Sequence, residues 1–207
     1  MALVEKEVKN VYRGSTKIRP TYIYVDYNFP AWTYPWWTLY SGSFWQGPDW
    51  DWWITAWRAN TNCRIKIEFP QTNRFTIQHR CKYNLTSWGW WMQCYISDAN
   101  DSSNTGTWIG YSIASAGTSG ALWRINWVED VSTHRVQLPS GYIYIDEIVY
   151  DGTNYTLNLY EDDNGDPWTL LYTYSAAWAN NNTYLWLYHE HGTTPFSETN
   201  RVRLWYK

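Results

Sequence analysis

Apolar residues recur at every second position through most of this chain, and that rhythm constrains its fold more than any other feature. In CRIKIEFP, Ile65, Ile67 and Phe69 fall on one side and Arg64, Lys66 and Glu68 on the other. RFTIQHRC sets Phe75, Ile77 and His79 against Arg74, Thr76 and Gln78. The same beat returns in WWMQCYI, WIGYSIA, ALWRINWV, GYIYIDEIVY, YTLNLYE, TYLWLYHE and RVRLWYK. A period of two sends one face of a strand into a core and the other to solvent, and no stretch offers a convincing helical stripe instead. The separators AGTSG, LPSG, DGTN, DDNGDP and ANNN are turn-formers. About a dozen strands joined by short turns predict an all-β fold: two antiparallel sheets face to face, or a barrel. A chain of 207 residues is long enough for one such domain without covalent staples.

Aromatic residues make up 20% of the chain, as 18 Trp and 19 Tyr against 5 Phe. Rings with a polar handle suit half-wet surfaces and interfaces. At alternate strand positions, as in Trp123, Ile125 and Trp127 or Trp186 and Tyr188, they are expected to pack the sheets. The segment from Phe29 to Asp51 differs, because Pro30, Pro35, Gly42, Gly47 and Pro48 interrupt any alternation. It reads as a loop. Rings on loops are hard to bury, so Trp36, Trp37, Trp45 and Trp50 are the candidate residues for holding a carbohydrate or a partner subunit.

Several function classes find no support. The net charge is −3, with no basic stripe of the kind a duplex binder shows, so no nucleic-acid partner is expected. There is no apolar run long enough to span a bilayer. The charges at Glu5, Lys6 and Glu7 fall where a signal peptide needs an apolar core, so export by the usual route is not expected. Cys63, Cys81 and Cys94 match no zinc spacing and read as small buried strand residues. The sequons at Asn84, Asn100, Asn154 and Asn181 read as turn chemistry. Retaining glycoside hydrolysis needs two carboxylates about 5–5.5 Å apart. Asp146 and Glu147 are adjacent in a strand and point to opposite faces, so no catalytic residues are assigned. His189 and His191 read as surface histidines at a strand end rather than metal ligands. No cofactor or metal is expected. Calcium is the alternative to a plain turn at Asp98, Asn100 and Asp101 and at Asp162, Asp163 and Asp166, where acidic and amide oxygens gather.

From Thr72 onward the succession of strands resembles the concanavalin-like and laminin-G-like lectin sandwiches. The stretch that carries the likeness is Tyr142 to Tyr174, with Asp151-Gly152 at a turn, a strand from Tyr155 to Tyr160, and Trp168 beyond the next turn. The closing Asn200 to Lys207 resembles the last strand that returns to the sheet. The resemblance implies a jelly-roll sandwich that binds sugars or proteins. Residues Val8 to Pro20, VKNVYRGSTKIRP, resemble the opening hairpin of tailed-phage structural proteins. That likeness implies a virion-attachment segment, residues 1–28, ahead of a lectin-like domain, residues 29–207. Val11, Tyr12, Gly14, Lys17, Arg19 and Pro20 would form the attachment hairpin, which cannot be stable alone and must pack on something. The resulting expectation is a non-enzymatic virion structural protein of a tail, fibre or capsid-decoration position. It would be exposed on the particle, assembled as a homo-oligomer (a trimer) with other virion subunits, and able to bind host-surface glycans. A stand-alone carbohydrate-binding module is the alternative.

Overall fold

The computed structural model describes residues 11–13, 16–18, 23–28, 38–41, 44–46, 54–56, 63–69, 71–83, 92–99, 107–115, 119–125, 128–129, 142–189 and 197–206. Among these residues every regular element is a strand. In chain order they are β1 (Val11–Arg13), β2 (Thr16–Ile18), β3 (Ile23–Asn28), β4 (Thr38–Ser41), β5 (Phe44–Gln46) and β6 (Ile54–Ala56). Then come β7 (Cys63–Glu68), β8 (Phe75–Tyr83), β9 (Met92–Ser97), β10 (Ile109–Ser115), β11 (Ser119–Ile125) and β12 (Val128–Glu129). The last five are β13 (Ile143–Tyr150), β14 (Asn154–Asp163), β15 (Asp166–Ala177), β16 (Tyr184–His189) and β17 (Ser197–Tyr206).

β1 and β2 pair as an antiparallel hairpin, Val11 opposite Ile18 and Arg13 opposite Thr16. The remaining strands form two antiparallel sheets. One runs β12-β11-β10-β9-β16-β7-β4, the other β15-β14-β13-β8-β17-β6-β5, with β3 also paired to β17. The predicted sandwich is therefore the fold. Two details add to the sequence reading. β3 pairs with β17 along its whole length, Asn28 opposite Arg201 to Ile23 opposite Tyr206, so residues 23–28 form a strand of that sheet. The stretch expected to be one loop contains β4 and β5, too short for their alternation to show between the prolines and glycines. β4 is the edge of one sheet and β5 the edge of the other, so the chain passes from one sheet to the other between Ser41 and Phe44.

The interior comes from the alternation. Ile65 and Ile67 of β7, Ile96 of β9, Ile109 of β10 and Leu185 and Leu187 of β16 meet Phe75 and Ile77 of β8, Ile148 of β13, Leu157 and Leu159 of β14 and Leu204 of β17. Each such side chain, fully buried, contributes about 1.5–3 kcal/mol of hydrophobic stabilisation. The outer face of the first sheet carries a second buried cluster, in which Tyr95 and Trp108 stack at 5.1 Å and Trp186 packs beside them. Gly110 makes that side of the sheet possible. A Cβ there would lie 2.2 Å from the Cys94 carbonyl oxygen, so only glycine lets β10 approach β9 this closely.

The β14–β15 hairpin turns on Asn164 and Gly165, both with positive φ (52° and 98°), the conformation that Asn-Gly pairs adopt most readily. Register shifts after Leu159 and after Tyr160 bend this hairpin. Its tip lies back over the outer face of its own sheet. There Arg80 grips Asp162 with two bonds of 2.8 and 2.7 Å, and Arg203 holds Asp166 at 2.7 Å.

Candidate functional site

Halfway along the sandwich the interior becomes polar. On β8 the inward positions after Phe75 and Ile77 are His79 and Cys81, and on β13 the residue opposite His79 is Asp146. All three are buried to within 2% of full burial. Cys81 Sγ lies 2.8 Å from Asp146 Oδ2, and His79 Nδ1 lies 3.8 Å from the same oxygen. β17 supplies Thr199, whose Oγ1 is 2.8 Å from His79 Nε2. That contact depends on a bulge. Thr199 pairs with Cys81 but Arg201 pairs with Arg80, so the extra residue puts both Thr199 and Val202 on the inward face.

The facing sheet closes the cluster. Tyr111 of β10 stands opposite Cys94 of β9. The Tyr111 hydroxyl bonds His79 Nδ1 across the gap between the sheets, and its ring stacks on the imidazole. Burial, reinforced by the Asp146 charge, pushes the Cys94 thiol well above its ordinary pKa, with the Tyr111 hydrogen bond opposing the shift. His79, Cys81 and Asp146 each offer a metal-ligating atom, and these atoms lie within 4.8 Å of one another. Glu147, the neighbour of Asp146, faces the other way. It accepts bonds from Gln78 (2.7 Å), Asn158 (2.9 Å) and Tyr160 (3.3 Å). Burial, then the Glu147 charge, raises the Tyr160 pKa. The two adjacent carboxylates thus stand on opposite faces of one sheet and do not converge in a groove.

Of the residues singled out from sequence, Trp45 lies in β5 with Thr55 opposite, while Trp36, Trp37 and Trp50 lie outside the described residues. Val11 and Tyr12 are in β1 and Lys17 is in β2; Gly14, Arg19 and Pro20 lie outside. The calcium alternative at the β14–β15 turn does not fit the side chains. Asp162 and Asp166 are already held by arginines, and Asp162 Oδ1 also accepts the Gly165 amide at 2.9 Å. Asp163 Oδ1 accepts from the Asn164 amide group. Asp98 Oδ1 accepts the Thr107 amide at 2.7 Å, while Asn100 and Asp101 lie outside the described residues.

Sequence reasoning missed two things. The first is the buried polar cluster, because its members come from five strands. The second is a set of exposed large apolar side chains. Trp168 is 71% exposed, and Tyr142, Leu170 and Trp178 are exposed with it. The signal was present as a run without a single charged residue from Trp168 to His189.

No protein-family model and no curated protein matches the chain. Among solved structures, peanut lectin with a bound nonapeptide is similar at a TM-score of 0.65 and 11% identity, covering 90% of this chain and 97% of that one. Basic winged bean lectin with Tn-antigen gives 0.66 and 10%, covering 90% and 98%. The VIP36 exoplasmic/lumenal domain in its Ca2+/Man2-bound form gives 0.58 and 8%, covering 88% and 87%. At these identities the likeness establishes the fold, a lectin sandwich spanning nearly the whole chain.

Proposed function

We propose that this chain is a non-enzymatic lectin-like binding protein that holds glycans, and that it works as a surface-exposed structural subunit of a virion. The observation that carries the first part is the sandwich itself, which is similar to basic winged bean lectin with Tn-antigen and to the VIP36 domain in its Ca2+/Man2-bound form. The orientation of Asp146 and Glu147 supports a binding role, since a retaining hydrolase needs its two carboxylates on one face. Sugars are held by stacking their apolar faces on indole or phenol rings. Trp36, Trp37, Trp45 and Trp50, the rings of the proline- and glycine-interrupted segment, are the ones proposed for that contact. The paired β1–β2 hairpin supports the second part, as a small docking element for neighbouring subunits of a tail, fibre or decoration position. Homotrimeric assembly suits such a position.

A glycan array with the purified chain tests the binding reading. Trp37→Ala and Trp50→Ala should abolish the signal, and Trp168→Ala should leave it intact. Loss with Trp168→Ala alone would move the site to the opposite edge, and an array without signal would overturn glycan binding. Light scattering of the full chain and of a form lacking Met1 to Pro20 tests the assembly reading. The full chain should be trimeric. A monomer that still binds glycans would identify a stand-alone module instead.

A further inference from the structure

We propose that His79, Cys81 and Asp146 bind one divalent transition-metal ion, zinc by the nature of the donors, in the middle of the sandwich. The arrangement is built from two neighbouring strands of one sheet. His79 and Cys81 stand two residues apart on the inward face of β8, and Asp146 is the cross-strand partner of His79 on β13. An imidazole, a thiol and a carboxylate are the zinc donor set, whereas calcium takes oxygen ligands. In a tetrahedral zinc site, with bonds of about 2.0–2.3 Å, neighbouring ligand atoms stand roughly 3.5 Å apart. His79 Nδ1 and Asp146 Oδ2 are 3.8 Å apart, and the three donor atoms lie within 4.8 Å of one another.

The surroundings agree with this assignment. A ligating histidine fixes its ring through the other nitrogen, and His79 Nε2 meets Thr199 Oγ1 at 2.8 Å, the contact that the β17 bulge creates. A carboxylate buried to 2% exposure needs a compensating charge, and a metal ion is a standard source of one. The Cys81 thiolate and the Asp146 carboxylate together match the charge of a dication. Across the gap, Tyr111 of the facing sheet closes the cluster over His79 Nδ1. The Tyr111 hydroxyl, which bonds His79 Nδ1, also bonds the Cys94 thiol, so it keeps a partner when the ion takes Nδ1. Loading releases the Cys81 thiol proton to solvent, so metal affinity rises with pH. The ion would tie β8 to β13 within one sheet.

The test uses the tag-free full chain. As purified, it should carry close to one zinc per chain by elemental mass spectrometry. Refolded under reducing conditions with cobalt(II), it should show the visible bands of a four-coordinate ion and a near-ultraviolet thiolate charge-transfer band. Cys81→Ser should abolish that band, since Cys81 is the one thiolate of the proposed site, and Cys63→Ser, at a residue not assigned to the site, should leave it alone. The proposal fails if the wild-type chain holds no stoichiometric zinc and gives no cobalt spectrum. It fails equally if Cys81→Ser leaves the spectrum unchanged. Both wild-type measurements stand even where a variant does not fold.

Discussion

The inward face of β8 runs through two different interiors. At one end Phe75 contacts Phe69, Tyr150 and Tyr155, with ring centroids 5.4–6.0 Å apart, and Ile77 faces Ile148 across the strand pair. At the other end His79 and Cys81 touch Asp146, Thr199 and Tyr111. The burial is the same at both ends; the chemistry is not. The first region is held by area and shape, which tolerate any neighbours of the right volume. The second is held by directed bonds between groups that are unfavourable to bury singly. A core that needed only stability would not place a carboxylate, an imidazole and two thiols here.

Substitutions can break that contrast or make it sharper. The largest effect belongs to the apolar end. Phe75→Ala should lower the unfolding free energy by about 3–5 kcal/mol in urea titration, through lost burial and a cavity among the tyrosine rings. In the polar end volume matters less than bonding. Thr199→Val conserves shape and should still cost about 1–3 kcal/mol, because the His79 Nε2 contact loses its partner. A neutral Thr199→Val would mean that the two regions are held by the same forces.

The smallest effect lies outside both. Asp151 accepts the amides of Asn154 and Thr153, each at 2.8 Å, and these bonds hold its carboxyl below the usual range, the Asn154 amide most of all. A carboxyl depressed in the folded state stabilises above its unfolded pKa, and that contribution is lost as pH falls through the lower folded value. Asp151→Asn should therefore flatten the acid limb of the thermal-stability profile slightly and leave neutral pH almost unchanged.

Much of this was readable beforehand. Alternation put His79 on the same face as Phe75 and Ile77, separated Asp146 from Glu147, and located the Asn164-Gly165 turn. What alternation cannot carry is a change of parity. The β17 bulge brings Thr199 to the face that Val202 occupies, although a strict period of two would set them on opposite faces. The shift after Leu159 likewise pairs Leu170 with Tyr160 and leaves it exposed, where unbroken alternation would align it with buried Tyr172. Register is also a property of pairs. Nothing local to Asp146 names His79 as its neighbour; that follows only once β13 and β8 are laid side by side.

Late-synthesised strands occupy central places in both sheets. β16 lies between β9 and β7, and β17 lies between β8 and the strands near the beginning. A nascent polypeptide that has reached residue 180 therefore still lacks the strips that join the two halves of each layer. Until residues 184–206 leave the ribosome, its ribbons have open flanks and nothing to zip against. Completion of both sheets therefore waits on residues 184–206 and is slow, as it is for topologies dominated by distant pairings. Premature termination in this stretch would yield sticky fragments rather than shortened working molecules.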